Sequence, residues 1–190
     1  AIADTPPILF EDVSDAAGVT DMAVNSSGPA FADYDNDGDL DIYVAAESLA
    51  EGINNRLWEN DGTGTFRDVA AARGVDNAGS LSRGASWGDF DNDGDQDLVI
   101  SNMGPGTGRG EHIPTTVYRN LLTETGTATF ENVTRTAGVM RAHNEEDMRI
   151  GGVSDTGAGV AWGDYDNDGD LDLFWKCADS DVENALFRNN

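Results

Sequence analysis

The chain has 190 residues, 38% of them hydrophobic, and sets 36 Asp and Glu against 11 Lys and Arg for a formal charge of −25. Such a length supports a real core, as one domain or an array of small units, and four Trp with seven Phe argue against disorder. So acidic a surface excludes direct binding to nucleic acid or anionic membrane, no apolar run is long enough to span a bilayer, and the single Cys177 excludes an internal disulfide.

The first predicted element is a strand, Ile8-Leu9-Phe10-Glu11-Asp12-Val13, followed by a short segment ending Ala17-Gly18-Val19. Next come Phe31-Ala32, an acidic stretch over 33–41, and Ile42-Tyr43-Val44; β-branched and aromatic residues in short runs mark strands. Residues 56–60 and 65–69, joined by Asp61-Gly62-Thr63-Gly64, read as a β-hairpin. One helical turn closed by Gly74 follows.

The series then returns. Ser86-Trp87, an acidic stretch over 89–97 and Leu98-Val99-Ile100 precede a hairpin of 117–120 and 129–133, with a longer turn through Gly126 and a segment ending Gly138-Val139. A third round gives Val160-Ala161-Trp162, 164–172, Leu173-Phe174-Trp175 and a last strand over 186–190. Two insertions, 104–114 and 140–156, account for the uneven spacing; repeats tolerate insertions in loops on one face.

The expected architecture is therefore all-β: three blades of four antiparallel strands, A to D, each with an acidic loop between A and B. One repeat array covers 1–190: strand D and a connector in 1–27, repeats at 28–83 and 84–156, and a third at 157–190 lacking its last strand. The lone D at the start and the absent D at the end add up to one blade split between the termini.

The three acidic stretches read Asp33-Tyr34-Asp35-Asn36-Asp37-Gly38-Asp39-Leu40-Asp41, Asp89-Phe90-Asp91-Asn92-Asp93-Gly94-Asp95-Gln96-Asp97 and Asp164-Tyr165-Asp166-Asn167-Asp168-Gly169-Asp170-Leu171-Asp172. Aspartates at positions 1, 3, 5 and 9 with glycine at 6 let a tight turn aim alternate side chains at one cation. Position 7 (Asp39, Asp95, Asp170) would lend its backbone carbonyl and point its side chain to water. Two carboxylates about 4 Å apart repel by roughly 4 kcal/mol at an effective dielectric near 20. Four in one loop call for a divalent ion, and ligands that are all oxygen in a flexible site suit Ca²⁺, giving three calcium sites. Even three such ions would offset only six charges. EF-hands are excluded, because position 12 holds Val44, Ile100 and Trp175 instead of Glu and the flanks read as strands.

Other residues offer little chemistry. His112, beside Glu111, and His143 lie in the insertions, where a solvated loop histidine accounts for each. There is no Gly-x-Ser-x-Gly elbow, and glycine-rich 104–110 lacks the Lys-Ser/Thr ending of a phosphate loop. Metal-bound water could serve hydrolysis, but three equivalent sites have the character of structural ones. No catalytic residue is assigned. Cys177 reads as a small core residue beside Trp175, and Asn25 and Asn132 open Asn-x-Ser/Thr sequons.

Trp87-Gly88-Asp89-Phe90-Asp91-Asn92-Asp93-Gly94-Asp95, Leu57-Trp58-Glu59-Asn60 with Gly64-Thr65-Phe66, Val160-Ala161-Trp162-Gly163-Asp164-Tyr165 and Leu186-Phe187-Arg188-Asn189-Asn190 carry a family likeness. They resemble the FG-GAP/VCBS repeats of integrin α-subunit propellers, and more closely those of the cartilage acidic protein family and its bacterial relatives. The resemblance implies β-propeller blades with calcium in each A–B loop, and adhesion or ligand recognition by a ring that is usually seven-bladed. Three repeats are fewer than the four blades that a closed ring needs.

Calcium loops of low affinity work where calcium is near millimolar, which places the chain outside the cell or at its surface. The expected function is a non-catalytic, calcium-stabilised structural module that associates head to tail through Leu9, Phe10 and Val13 of one copy and Leu186 and Phe187 of the next. Six blades from two chains would make a ring, and an unclosed rotation a filament. The alternatives are an adhesin or lectin-like module, with a protein or glycan ligand, excised from a longer propeller, and an accessory propeller of a secreted hydrolase or lyase.

Overall fold

The computed structural model describes residues 9–20, 25–47, 53–103, 115–139, 157–177 and 183–190. Ile8 and both insertions, with His112 and His143, lie outside the described residues. Three antiparallel sheets follow one another along the chain. The first holds β1 (Ser26–Ala32), β2 (Asp41–Ala46), β3 (Arg56–Asn60) and β4 (Phe66–Asp68) in that order. The second repeats the order with β5 (Leu81–Gly88), β6 (Asp97–Met103), β7 (Thr116–Asn120) and β8 (Phe130–Asn132). The third has β9 (Gly157–Gly163), β10 (Asp172–Cys177) and β11 (Ala185–Phe187). Each acidic stretch joins the first two strands of its sheet, and the position-9 aspartate opens the second.

Several expectations need correction. Residues 9–13 form no strand; with no strand beside them, Leu9 and Phe10 stand 84% and 96% exposed. Among the described residues the split blade is thus not completed, and the third sheet has three strands. The one-turn helices α1 (Ser14–Ala17) and α2 (Ala70–Arg73) end on left-handed Gly18 and Gly74 as expected, but the matching segment before Gly138 is a turn. The longer second hairpin encloses an unforeseen helical turn, α3 (Leu122–Thr125). Cys177 is buried.

The first strand of each sheet is longer than its few apolar residues suggested. Its leading half is rich in Ser and Gly, which have weak strand propensity, yet it pairs through a bulge in β1 and β5. Neighbouring sheets lean together there. A Cβ on Gly28, whose φ is +60°, would stand 2.5 Å from the Gly84 Cα, so only glycine admits this approach.

Side chains between the sheets make the core. Tyr34, Tyr43, Leu57, Leu98 and Ile100 fill the first interface and are fully buried. Tyr34 stacks on Trp87 at 6.2 Å, and Phe130 meets both rings at 6.0 Å. In the second interface Phe90 stacks on Trp162 at 5.7 Å above Val99, Val117 and Leu173. A half-open cavity of about 140 Å³ adjoins that pair, lined by Val117, Leu173 and Phe187 among others.

Covered on both faces, the middle sheet has a β6 buried at every position from Asp97 to Asn102. The outer sheets leave apolar faces open, with Phe31 and Leu40 exposed on the first and Tyr165, Phe174 and Leu186 on the third. In repeat register Tyr165, Phe174 and Leu186 match Tyr34, Tyr43 and Leu57, while Phe31 matches Trp87. The two open faces thus reproduce the two halves of the buried interface. The segment ending at Gly18 follows the same rule. A Cβ there would lie 3.2 Å from the Phe66 carbonyl, as one on Gly74 would lie 3.5 Å from that of Phe130. Helix α1 stands to the first sheet as α2 stands to the second.

Candidate metal centres

Each acidic stretch folds by the same set of hydrogen bonds. The amides of Asp37 and Gly38 donate to the two carboxylate oxygens of Asp33, each at 3.0 Å, and Asp39 N donates to Asp37 Oδ1. Asp89 and Asp93 accept in the same way in the second loop, and Asp164 and Asp168 in the third. Gly38, Gly94 and Gly169 take φ of 98°, 98° and 101°, where a side chain is strained. Asn36, Asn92 and Asn167, at φ of 56°, 60° and 61°, use the tolerance of Asn for left-handed backbone.

These turns bring carboxylates together. Oxygens of Asp33, Asp35 and Asp37 lie within 4.8 Å of one another, as do those of Asp89, Asp91 and Asp97, and of Asp164, Asp166 and Asp172. Ca²⁺ bonds of about 2.3–2.6 Å span such gaps. The decisive observation is that Asp35 Oδ1 and Asp93 Oδ2 are buried without a hydrogen-bond partner. Burial and neighbouring carboxylates push Asp35 and Asp91 above the usual range. Burial lifts Asp41 to about 7 and Asp97 to about 8, against the lowering effect of backbone donors. These are sites short of positive charge, and all-oxygen donor sets fit a hard divalent cation.

The position-9 aspartates also brace the loops. Asp41 accepts from the amides of Tyr34 and Asn60, Asp97 from those of Phe90 and Asn120, and Asp172 from those of Tyr165 and Asn189. Position 7 departs from expectation. Asp95 is 0% exposed and accepts from Thr123 N at 2.9 Å, because α3 folds over it. Asp170 accepts from the Asn92 side chain at 2.7 Å, and Asp39 lies against Gly62.

Two sets of residues had escaped the sequence reading. The position-4 asparagines link consecutive loops, Asn36 to the Gly94 carbonyl at 3.4 Å and Asn92 to Asp170. An asparagine at or just past the end of the third strand reaches back to the preceding sheet: Asn120 Nδ2 donates to the Tyr34 carbonyl at 2.8 Å and Asn189 Nδ2 to that of Phe90 at 2.7 Å. Their recurrence in every repeat (Asn60, Asn120, Asn189) was the available signal. Beside the first loop, Glu59 gathers the Tyr34 hydroxyl at 2.5 Å, Arg73 at 2.7 Å and Arg67. Of the expected assembly residues, Leu9, Phe10, Val13 and Leu186 are exposed, whereas Phe187 packs inward on the second interface.

Residues 48–100 match the FG-GAP-like repeat family. The chain carries an FG-GAP-like repeat. The matched unit runs from the β3–β4 hairpin into β6, so the sequence repeat straddles two sheets and ends on the second acidic loop and its following strand. Among the relatives of this FG-GAP chain is Cartilage acidic protein 1 of Homo sapiens, 31% identical over 136 residues, or 70% of this chain and 17% of the relative. The Mus musculus protein is 34% identical over 98 residues, covering 50% and 14%. That of Xenopus tropicalis is 44% identical over 48 residues, covering 25% and 7%. The chain thus spans less than a fifth of the length of these relatives. Among the described residues no helix is long and apolar enough to cross a membrane.

Proposed function

We propose that this chain is a calcium-stabilised, non-catalytic extracellular interaction module that associates head to tail with copies of itself. The observation that carries the calcium reading is the threefold loop geometry, with buried carboxylate oxygens in the first two loops that no donor satisfies. Fourth strands β4 and β8 complete the first two sheets, and the free edge of β11 takes residues 9–13 of a neighbouring copy. Phe10-Glu11-Asp12-Val13 has the pattern of Phe66-Arg67-Asp68-Val69 and Phe130-Glu131-Asn132-Val133. In the register that pairs Arg119 with Glu131 and Asn120 with Phe130, Glu11 faces Arg188 and Phe10 faces Asn189. Opposite charges already meet across this position, Glu59 with Arg67 and Arg119 with Glu131. Phe10 would supply the ring that the Phe90–Trp162 pair lacks, and an apolar cavity of about 150 Å³ holds a benzene. The first sheet of that neighbour would cover Tyr165, Phe174 and Leu186.

Sedimentation in millimolar calcium tests this. Wild-type protein assembles, deletion of residues 1–13 yields monomers, and Glu11→Arg weakens assembly that Glu11→Arg with Arg188→Glu restores. Assemblies of unchanged size after the deletion would rule out strand sharing. The greater length of the relatives favours a second reading, an adhesin or lectin-like module of a longer propeller whose following repeat covers the same edge. Wild-type protein that stays monomeric at high concentration in calcium would favour it.

A further inference from the structure

Among the described residues the second repeat has an acidic group that the other two do not. Oxygens of Asp93, Asp95 and Glu124 lie within 4.8 Å of one another, apart from the Asp89, Asp91 and Asp97 cluster of the same loop. Asp95 is fully buried and its Oδ1 has no hydrogen-bond partner, and the same holds for Asp93 Oδ2. A buried carboxylate oxygen without a donor is costly, and two side by side add repulsion. Something cationic belongs between them. Arg119 reaches Glu124 at 3.6 Å and Glu131 at 3.2 Å, and among the described residues neither orphaned oxygen has a partner.

Local structure explains why the group arises here alone among the described residues. In the first repeat the hairpin turn is Asp61-Gly62-Thr63-Gly64, and Gly62 lies against Asp39 with no room for a side chain: a Cβ would stand 2.8 Å from Oδ2. The second hairpin is longer and folds as α3, capped by left-handed Gly126. That turn presents Thr123 N to Asp95 Oδ2 at 2.9 Å, which leaves Oδ1 free, and carries Glu124 above the loop. Thr123 Oγ1 also approaches the Asp93 carbonyl at 3.4 Å, which adds neutral oxygens at the rim.

The geometry points to a fourth divalent-cation site, held by Asp93, Asp95 and Glu124 and bridging the second acidic loop to the β7–β8 hairpin. Asp93 is then shared with the ion of its own loop. Oxygen donors of this kind and spacing select Ca²⁺ over softer metals. This rests on the calcium reading of the loops, and counting ions separates the two. Calorimetric titration with Ca²⁺, with Tb³⁺ luminescence as a second probe, gives four ions per wild-type chain. Glu124→Gln, at a half-exposed position that leaves the fold intact, gives three, and Asp95→Asn gives three. Glu131→Gln keeps four. A wild-type count of three overturns the fourth site while the loops stand. Retention of four ions by Glu124→Gln also overturns it. A count of zero overturns the loop reading itself.

Discussion

Asn120 is fully buried in the second sheet, and its side-chain amide donates to the backbone carbonyl of Tyr34 in the first loop at 2.8 Å. Its backbone amide meanwhile donates to Asp97, so one residue ties a loop to its own sheet and to the sheet before. Asn120→Ala leaves that carbonyl buried without a donor and is expected to cost about 1–3 kcal/mol. For a chain of this size that lowers the melting temperature by roughly 2–4 °C per kcal/mol, read by calorimetry.

Calcium should govern stability. Loops that bind at roughly 10⁻⁴–10⁻³ M contribute about 1.4 kcal/mol each at tenfold saturation, or about 4 kcal/mol for three. Chelation is expected to lower the melting temperature by roughly 8–16 °C, with magnesium restoring little. An unchanged melting curve in excess chelator would sink the idea.

Acid should release a different element. Burial raises Glu59, yet hydrogen bonds from Arg73, Tyr34 and Arg67 outweigh it and hold the carboxyl at about 2, against an ordinary 4.5. A depressed carboxylate stabilises the fold above its unfolded value, and this contribution fades as pH falls from 4.5 to about 2. Glu59→Gln is expected to cost about 1.5–3 kcal/mol at neutral pH and to flatten stability within that window. Denaturant titrations at a series of pH values measure both.

Gly28 tests the close approach of the sheets. Gly28→Ala forces a Cβ into the Gly84 backbone at a φ of +60°. Loss of at least about 2 kcal/mol is expected. Gly159→Ala, where nothing lies within 4 Å of the added atom, should be much milder. Equal losses in the two variants would contradict the packing argument.

The loops and the second strands were legible in the sequence because identical spacing at three places leaves few folds open. Strand pairing followed from the hairpin turns. What could not be read was any relation between repeats, since Asn120 and Tyr34 lie 86 positions apart and no local pattern couples them. The water-facing role expected of Asp95 failed because a helical turn in a longer hairpin covers it. The strand expected at residues 9–13 is absent, because strand-like residues were read there without regard to a pairing partner. Strand formation needs a neighbour, which a pattern alone does not supply.

The backward reach of Asn120 and Asn189 gives the array a direction, with a consequence for its birth on the ribosome. At about 5–20 residues per second, the carbonyl of Tyr34 emerges roughly 4–17 seconds before the amide that will hold it. Phe90 waits longer still, for a residue 99 positions downstream. Until then each finished sheet presents its leading aromatic face to the cytosol or translocon, and the youngest repeat is always the one left open. A pause in translation after residue 103 would therefore hold Tyr34, Tyr43 and Leu57 without the hairpin that completes their cover.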